Sequence, residues 1–512
     1  MSACRLATGG RIDRSKPVKF TWDGQELHGF QGDTLASALM ANGQRVLGRS
    51  FKYHRPRGVM SAGVEESGAI VTLGSGNRAE PNAKATLQEL YPGLEAYGQN
   101  AWPNVRYDLG AVSGLFSRFF AAGFYYKTFM GLPPFEWGRG TGMWMKYEKL
   151  IRKAAGMGTA SRAADPDTYD HAHAFCDILV IGAGPAGLMA ALTAAKAGKD
   201  VLLVEQDFEL GGDLLNCADD TSEARRHLLI QSVQKAGIRI MTRTTAFGLY
   251  DHGTAGLLEK VNDHQGPPAQ YQPRQRIWTV RAQATILATG AIERSIAFGG
   301  NDRPGVMSVN AGRAYLNRYG ILPGQRIVIA TNNDSAYPAA RDLSKAGAEV
   351  TLVDARATSA PSLPDGVRHD KGYAPLQTFG WKNLSGVQLA ERDEKVWHAA
   401  QTLDCDLLLV SGGWSPVVNL SSNRGAAPGW NSDNACFLPT PATEPLFPAG
   451  AACGIWQNAA CEASGVAAAQ SALGEPAHPP KPGGWENPIQ PVYEVRLPAQ
   501  NIKSFVDFQH DV

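Results

Sequence analysis

The sequence predicts an α/β protein of Rossmann type with two strand–turn–helix–strand units, preceded by a small α+β region. Three observations carry this. A glycine fingerprint, Gly182-Ala183-Gly184-Pro185-Ala186-Gly187, stands between an apolar strand and an alanine-rich helix. A second segment, Arg326 to Asp354, repeats the pattern of Asp177 to Glu205 without the glycines. Residues 18 to 75 read as short strands around one helix, with Asp33-Thr34 capping Leu35 to Asn42.

The first unit runs from Cys176 to Glu205: strand CDILVIG, a glycine turn, a helix to Ala197, then strand Asp200 to Glu205. Gly182 allows the tight turn, Gly184 lets a pyrophosphate approach the backbone, and Gly187 lets helix and strand pack closely. The helix N-terminus offers unpaired N–H groups and a positive dipole end to phosphate. Glu205 ends the next strand, where a carboxylate accepts both ribose hydroxyls. Strand, turn, helix, strand and acid in register point to the ADP portion of a dinucleotide. Asp207 and Glu209 follow, and no Arg or Lys lies between Val201 and Leu214, so NAD is expected over NADP.

Later segments extend the pattern. Leu210-Gly211-Gly212 follows Glu205 closely. Strand Ala284 to Leu287 ends in Ala288-Thr289-Gly290, then Ala291-Ile292-Glu293-Arg294. Pro445 to Ala449 leads into Gly450-Ala451-Ala452 and the small-residue helix Ala459 to Ala469. These resemble the ATG and terminal glycine motifs of two-dinucleotide-domain flavoproteins of the disulfide-reductase-like class, the FAD/NAD(P)-binding fold. That class usually carries Asp after the terminal Gly; here Ala451 and Ala452 stand there. The expected cofactor contacts are Gly182, Gly184, Pro185, Ala186, Gly187, Glu205, Gln206, Gly212, Ala246, Thr289, Gly290 and Gly450. NAD in the FAD-type site is the expected cofactor, with FAD as the alternative.

In the second unit Ala330, Asn332 and Ser335 take the places of the three glycines. Asn332 puts a side chain where a pyrophosphate would approach, and Asp334 or Ser335 can cap the helix from within. This unit is expected to be structural.

Composition sets the outer limits. A formal net charge of +1 argues against nucleic acid as a partner. The longest apolar stretch, Leu115 to Tyr126, is interrupted by Ser117 and Arg118 and falls short of the about 20 residues a membrane span needs. The start, Met1 to Ser15, shows no secretory signal. Seven scattered cysteines form no CxxC pair, so neither a metal site nor a disulfide framework is expected, and a reducing cytoplasm is the natural compartment. His171 and His173 read as linker surface without a third ligand, and Cys453 and Cys461 as buried small residues. Residues 96–173 are rich in aromatics (among them Trp102, Phe120, Phe124, Tyr125, Tyr126, Trp137, Trp144 and Tyr147) and read as a linker packed on its neighbours. The proline-rich tail after Ala477 should be extended.

Several segments carry a family resemblance: SFKYHRPRG (Ser50 to Gly58), AGFYYKTFM (Ala122 to Met130), YEKLIRKAAG (Tyr147 to Gly156), ATGAIERSIAFGGNDRPGVM (Ala288 to Met307) and the C-terminal SFVDFQHDV. With the fingerprint, they make the chain resemble the α subunit of heterotetrameric sarcosine oxidases. The resemblance implies an enzyme that oxidatively demethylates sarcosine to glycine, formaldehyde and hydrogen peroxide. It implies NAD on this subunit, FAD and substrate on a β subunit, FMN at their interface, and small γ and δ subunits. The catalytic residues would then lie on the partner. The family's α subunit continues into a folate-binding half; this sequence ends at Val512, about where that half would begin, so a fragment or split-gene form is expected. Related opine or amine dehydrogenase and cyanide synthase subunits, and a self-sufficient FAD oxidoreductase, are the alternatives.

The N-terminal region resembles the β-grasp ferredoxin-like domain of those relatives. A cluster there needs about four thiolates, and none lies between Cys4 and Cys176, so no iron–sulfur cluster is expected. The basic stretch Arg49, Lys52, His54, Arg55 and Arg57 has two readings: Lys52, Arg55 and Arg57 contact the interfacial FMN phosphate, or the stretch is a solvated or subunit-facing strand. The expected organisation is a ferredoxin-like domain over 1–95, a linker over 96–173, a discontinuous dinucleotide domain over 174–298 and 412–475, a degenerate second domain over 299–411, and a tail over 476–512.

Overall fold

A computed structural model describes residues 4–119, 148–149, 158–358, 361–393, 396–441, 445–497, 503–506 and 508. Alternating apolar residues near the N-terminus form strand Asp13–Trp22, which buries Val18, Phe20 and Trp22. Asp23 and Gly24, at φ 47° and 81°, turn the chain into Gln25–Gln31. Thr34 caps helix Leu35–Ala41, its hydroxyl accepting from Ser37 N–H while the Ser37 hydroxyl accepts from Thr34 N–H. The five-stranded sheet runs in the order Gln25–Gln31, Asp13–Trp22, Leu94–Gly98, Ile70–Leu73, Glu80–Lys84, with Asp13–Trp22 and Leu94–Gly98 pairing in parallel. This is a β-grasp, ferredoxin-like module. Strand Leu94–Gly98 crosses the expected boundary at 95, because its pairing partners lie in the first sheet.

The fingerprint strand is longer than expected. It begins at Tyr169, seven residues before Cys176, because it pairs along its length with Gln275–Leu287. His171 and His173 therefore belong to a strand and not to a linker, with exposed side chains, while Ala174 and Cys176 alternate inward. The sheet order is Arg239–Met241, Val201–Val204, Tyr169–Ile181, Gln275–Leu287, Thr254–Lys260, Thr244–Tyr250, with Leu446–Pro448 also pairing against Gln275–Leu287. A second, wholly parallel sheet runs Val306–Ser308, Leu407–Ser411, Arg326–Thr331, Glu349–Asp354, Arg368–Lys371. The tail is extended and docked: Val495 N–H donates to Ala297 O at 2.9 Å, and Val492 and Val495 are buried. Of the aromatic stretch, Phe120, Phe124, Tyr125, Tyr126, Trp137, Trp144 and Tyr147 lie outside the described residues.

Helix Asn458–Ala472 crosses the fingerprint helix Pro185–Lys196 at very close range. A Cβ on Gly465 would fall 2.0 Å from the Ala186 carbonyl oxygen. Gly465→Ala is therefore expected to push the two helices apart, costing about 1–3 kcal/mol as overpacking does. Thermal unfolding checks this; an unchanged midpoint would mean that the close approach carries no stability.

Candidate dinucleotide-binding site

Each fingerprint glycine answers a different geometric demand. Gly182 has φ 101°, and a Cβ there would meet the Ala288 carbonyl oxygen at 2.2 Å. Gly187 would meet the Gly182 carbonyl oxygen at 1.8 Å, so helix and strand are in backbone contact. Gly184 is different: φ is −72°, it caps the helix, and its nearest neighbour would be Gly212 Cα at 3.9 Å. Open space thus lies in front of the helix N-terminus, where Pro185 occupies the first turn and supplies no N–H. Gly212, at φ 55°, closes the opposite side.

Glu205 is buried at the end of strand Val201–Val204, and its carboxylate accepts Ala183 N–H at 2.6 Å and Asp207 N–H at 2.9 Å. Burial pushes its pKa up to about 7, against the pull of those N–H donors. Gln206 is exposed beside it. Thr244 N–H donates to the Glu205 carbonyl at 2.8 Å, which brings half-buried Ala246 to the same end. At the other end, the Thr289 hydroxyl donates to Val417 O at 3.0 Å and Gly290 turns at φ 73°. Gly450, φ 66°, donates its N–H to the Ser464 hydroxyl at 3.0 Å; a Cβ there would lie 2.7 Å from Ala186 Cβ. Most of these positions lie at the ends of the parallel strands Tyr169–Ile181, Val201–Val204 and Leu446–Pro448, whereas Ala246 lies on the antiparallel strand Thr244–Tyr250.

Three features were not anticipated. Asp207 and Glu209 do not face a nucleotide unpaired: buried Arg318 holds Asp207 through two bonds of 2.7 Å and Glu209 at 3.1 Å, and lies 4.7 Å over the Phe208 ring. The charge argument against NADP therefore rests on Glu205. Glu293 accepts Asn310 N–H at 2.7 Å through Oε2, while Oε1 is buried without a partner among the described residues; burial pushes its pKa up to about 8. Asp213, on the turn Gly212–Asn216, is close enough to act on both Glu293 and Cys461. An acid therefore stands near the terminal motif although position 451 is Ala. Of the two cysteines expected to be buried, Cys461 is buried and Cys453 half-buried; desolvation pushes both thiols up to about 12.

The second unit is closed by its own side chains. Asn333, and not Asp334 or Ser335, provides the cap, accepting Ser335 N–H at 3.0 Å and donating to Asn332 Oδ1 at 2.9 Å and Ser411 Oγ at 3.1 Å. Asp334 instead anchors Arg356 at 2.7 Å and the tail through Asn487 N–H at 3.0 Å. Strand pairing corrects the expected register by one residue: Thr331 faces Asp354 as Gly182 follows the Ile181–Val204 pair. Thr331, Asn333 and Ala336, not Ala330, Asn332 and Ser335, therefore stand at the glycine positions, and Asp354, matching Glu205, accepts from Arg356 and from the Tyr337 hydroxyl. A cavity of about 310 Å³ remains beside Asn333, walled by Trp414, Trp456 and Trp485.

The basic stretch also resolves differently from the phosphate expectation. Arg55 grips Asp302 at 2.5 and 2.6 Å, and Arg57 pairs with the same carboxylate, which their charges hold down at about 2. The anion met by these two guanidiniums is internal. Arg49 donates twice to Val105 O, His54 pairs with Asp108 at 2.7 Å, and the Lys52 ammonium lies 5.1 Å from the Tyr53 ring centroid.

Comparison with known proteins agrees with this architecture. Residues 176–430 match the family described as pyridine nucleotide-disulphide oxidoreductase, and residues 15–101 match the 2Fe-2S iron-sulfur cluster binding domain. Sarcosine oxidase subunit alpha of Rhizobium meliloti (strain 1021) is 44% identical over 534 aligned positions, covering 100% of this chain and 52% of that protein. The subunit of the same name from Corynebacterium sp. (strain P-1) is 35% identical, covering 98% of this chain and 49% of that protein. The chain thus spans about half the length of the curated relatives it matches. Among solved structures, L-proline dehydrogenase from P.horikoshii superposes with a TM-score of 0.61 at 17% identity, over 91% of this chain and 76% of that one, which supports the fold alone. The chain is a homologue of sarcosine oxidase subunit alpha, a ferredoxin-like module joined to a two-unit dinucleotide-binding fold.

Proposed function

We propose that this chain is the NAD-binding alpha-type component of a sarcosine oxidase complex that demethylates sarcosine to glycine, formaldehyde and hydrogen peroxide. The observation that carries the reading is similarity along the whole of this chain to about half of the length of sarcosine oxidase alpha subunits, around one intact fingerprint, Gly182 to Gly187, with Glu205 in register. In this reading the open space at Gly184 receives the pyrophosphate and Glu205 the ribose hydroxyls. FAD and the amine belong to a beta-type subunit, FMN to the interface, and gamma and delta subunits complete the assembly in the cytoplasm. No helix among the described residues is long and apolar enough to cross a membrane. The test is to denature the purified chain and identify what is released. NAD without flavin absorption is expected; stoichiometric FAD would replace this reading with a self-sufficient flavoenzyme. NADP should bind much more weakly than NAD, because its 2′-phosphate would meet the buried Glu205.

Glu205 also makes binding pH-dependent. In the ligand-free chain its pKa lies near 7, above the ordinary carboxylate value, so the folded state holds a proton that the unfolded state has lost. The resulting stabilisation is present at low pH and disappears as pH rises from the ordinary value through about 7; Glu293 acts in the same direction up to about 8. Ribose hydroxyls donate to the ionised acid, so binding releases that proton. Calorimetry should show NAD affinity rising about tenfold between pH 6 and pH 8. Glu205→Gln should flatten that dependence, and a slope surviving in the variant would remove Glu205 from the site.

A further inference from the structure

The N-terminal module matches a cluster-binding family, yet its residues do not fit a cluster. Plant-type clusters are held by thiolates at C-x4-C-x2-C spacing with a fourth further on. The loop leading into strand Ile70–Leu73 carries that spacing in Ser61, Glu66 and Ala69. A fourth residue returns to the same loop: the Thr86 hydroxyl donates to Gly63 O at 2.9 Å, and neighbouring Ala85 N–H donates to Ala69 O at 3.0 Å. None of the four is a cysteine.

The loop closes instead on one carboxylate. Glu66 is 1% exposed. Its Oε1 accepts N–H from Gly68 at 2.5 Å and Ala69 at 2.8 Å. Its Oε2 accepts N–H from Met60 and Ser61, both at 2.9 Å. Converging backbone N–H groups form anion seats of the kind used at phosphate and iron–sulfur sites. Burial raises the pKa of Glu66, against the pull of its four backbone N–H donors, which favour the charged form. The loop is tight around it: a Cβ on Gly68 would fall 2.2 Å from Gly58 O. Ser61 Oγ, at the first ligand position, is buried without a hydrogen-bond partner among the described residues.

We propose that the Glu66 carboxylate occupies the cluster seat of this ferredoxin-like module, an internal anion that holds the loop closed and leaves the module without an electron-carrying role. The sequence signal is an acid at the second position of the x4–x2 spacing, followed by the small residues Ser67, Gly68 and Ala69. Such a module serves as a folded spacer or docking piece, and any electron path in the assembly bypasses it.

The purified full chain tests this directly. After anaerobic treatment with ferrous iron and sulfide, then desalting, it should retain neither iron nor labile sulfide; two irons per chain would overturn the proposal. Amide hydrogen exchange supplies a second arm, with Glu65→Gln as the control, since Glu65 is the exposed neighbour. In Glu66→Gln the amides of Met60, Ser61, Gly68 and Ala69 should exchange about tenfold faster or more. A Glu66→Gln chain that fails to fold while Glu65→Gln folds also supports the structural anion. Equal protection in the two variants overturns it. Ser61→Cys, Glu66→Cys, Ala69→Cys and Thr86→Cys combined, in a folded chain, should gain a cluster's visible absorption under the same treatment. A folded variant that binds no iron would show that these are not the cluster positions.

Discussion

Gly184→Val should release the dinucleotide while leaving the chain folded. The backbone there has φ −72°, which any residue adopts, and a new Cβ would meet only Gly212 Cα at 3.9 Å, an ordinary contact. The branched side chain would instead fill the space before the helix N-terminus, where a pyrophosphate must approach the backbone. The other two glycines give the opposite result. Gly187→Ala would press a methyl against the Gly182 carbonyl at 1.8 Å, and Gly182→Ala would combine a 2.2 Å contact with φ 101°. Both should destabilise by about 3 kcal/mol or more, since backbone must move. Asn332→Gly, in the second unit, removes buried hydrogen bonds worth about 1–2 kcal/mol and should leave nucleotide content unchanged. The measurement is nucleotide retained per chain after desalting, beside a thermal unfolding curve for each variant. Loss of nucleotide from Asn332→Gly alone would reverse the assignment of the two units.

What could be read in advance was local. A strand, a glycine turn, a helix and an acid lie within about thirty residues, and the demands on each glycine are set by neighbours in the chain. The N-terminal strand, turn and capped helix were legible for the same reason. The misreadings share a different cause: a partner far away in sequence. Asp207 and Glu209 looked uncompensated because Arg318 stands 111 positions from Asp207. Arg55 looked available for phosphate because Asp302 lies 247 positions on, although both residues sit in segments that resemble the sarcosine oxidase family. The start of the fingerprint strand at Tyr169 had a signal, the alternation of His171, His173 and Phe175 with Ala172, Ala174 and Cys176, which the polarity of the histidines obscured. Gly465 was hidden in an alanine-rich helix; only the Ala186 carbonyl opposite explains why a glycine stands there. The sequence offered Asp334 or Ser335 as the cap; Arg356 takes Asp334, and Asn333, outside that expected pair, caps the turn instead.

The chain alone should not oxidise sarcosine. Taking hydrogen from the amine carbon requires a group that accepts two electrons, and passing them to oxygen requires a flavin able to do so. In the proposed reading one intact fingerprint serves one dinucleotide, and the second unit has its loop polar atoms engaged by Asn333, Asp334 and Arg356. The ferredoxin-like module offers a carboxylate where a relay would sit. In that reading the residues around the fingerprint would bind and orient: Glu205 would take the ribose and Gly184 admit the pyrophosphate, while burial holds Glu293 largely protonated at neutral pH at the far end. Apolar surface is left over, with Trp102, Tyr107, Leu109 and Leu115 each more than 60% exposed, the kind of area a partner covers. Hydrogen peroxide production should therefore appear only on co-expression with a beta-type, FAD-carrying subunit, and the bound NAD should stay oxidised throughout turnover. An oxygen electrode with sarcosine, applied first to the chain and then to the co-expressed complex, makes the measurement. Activity from the chain alone, above that of Gly184→Val, would mean that the dinucleotide at the fingerprint is itself the redox group.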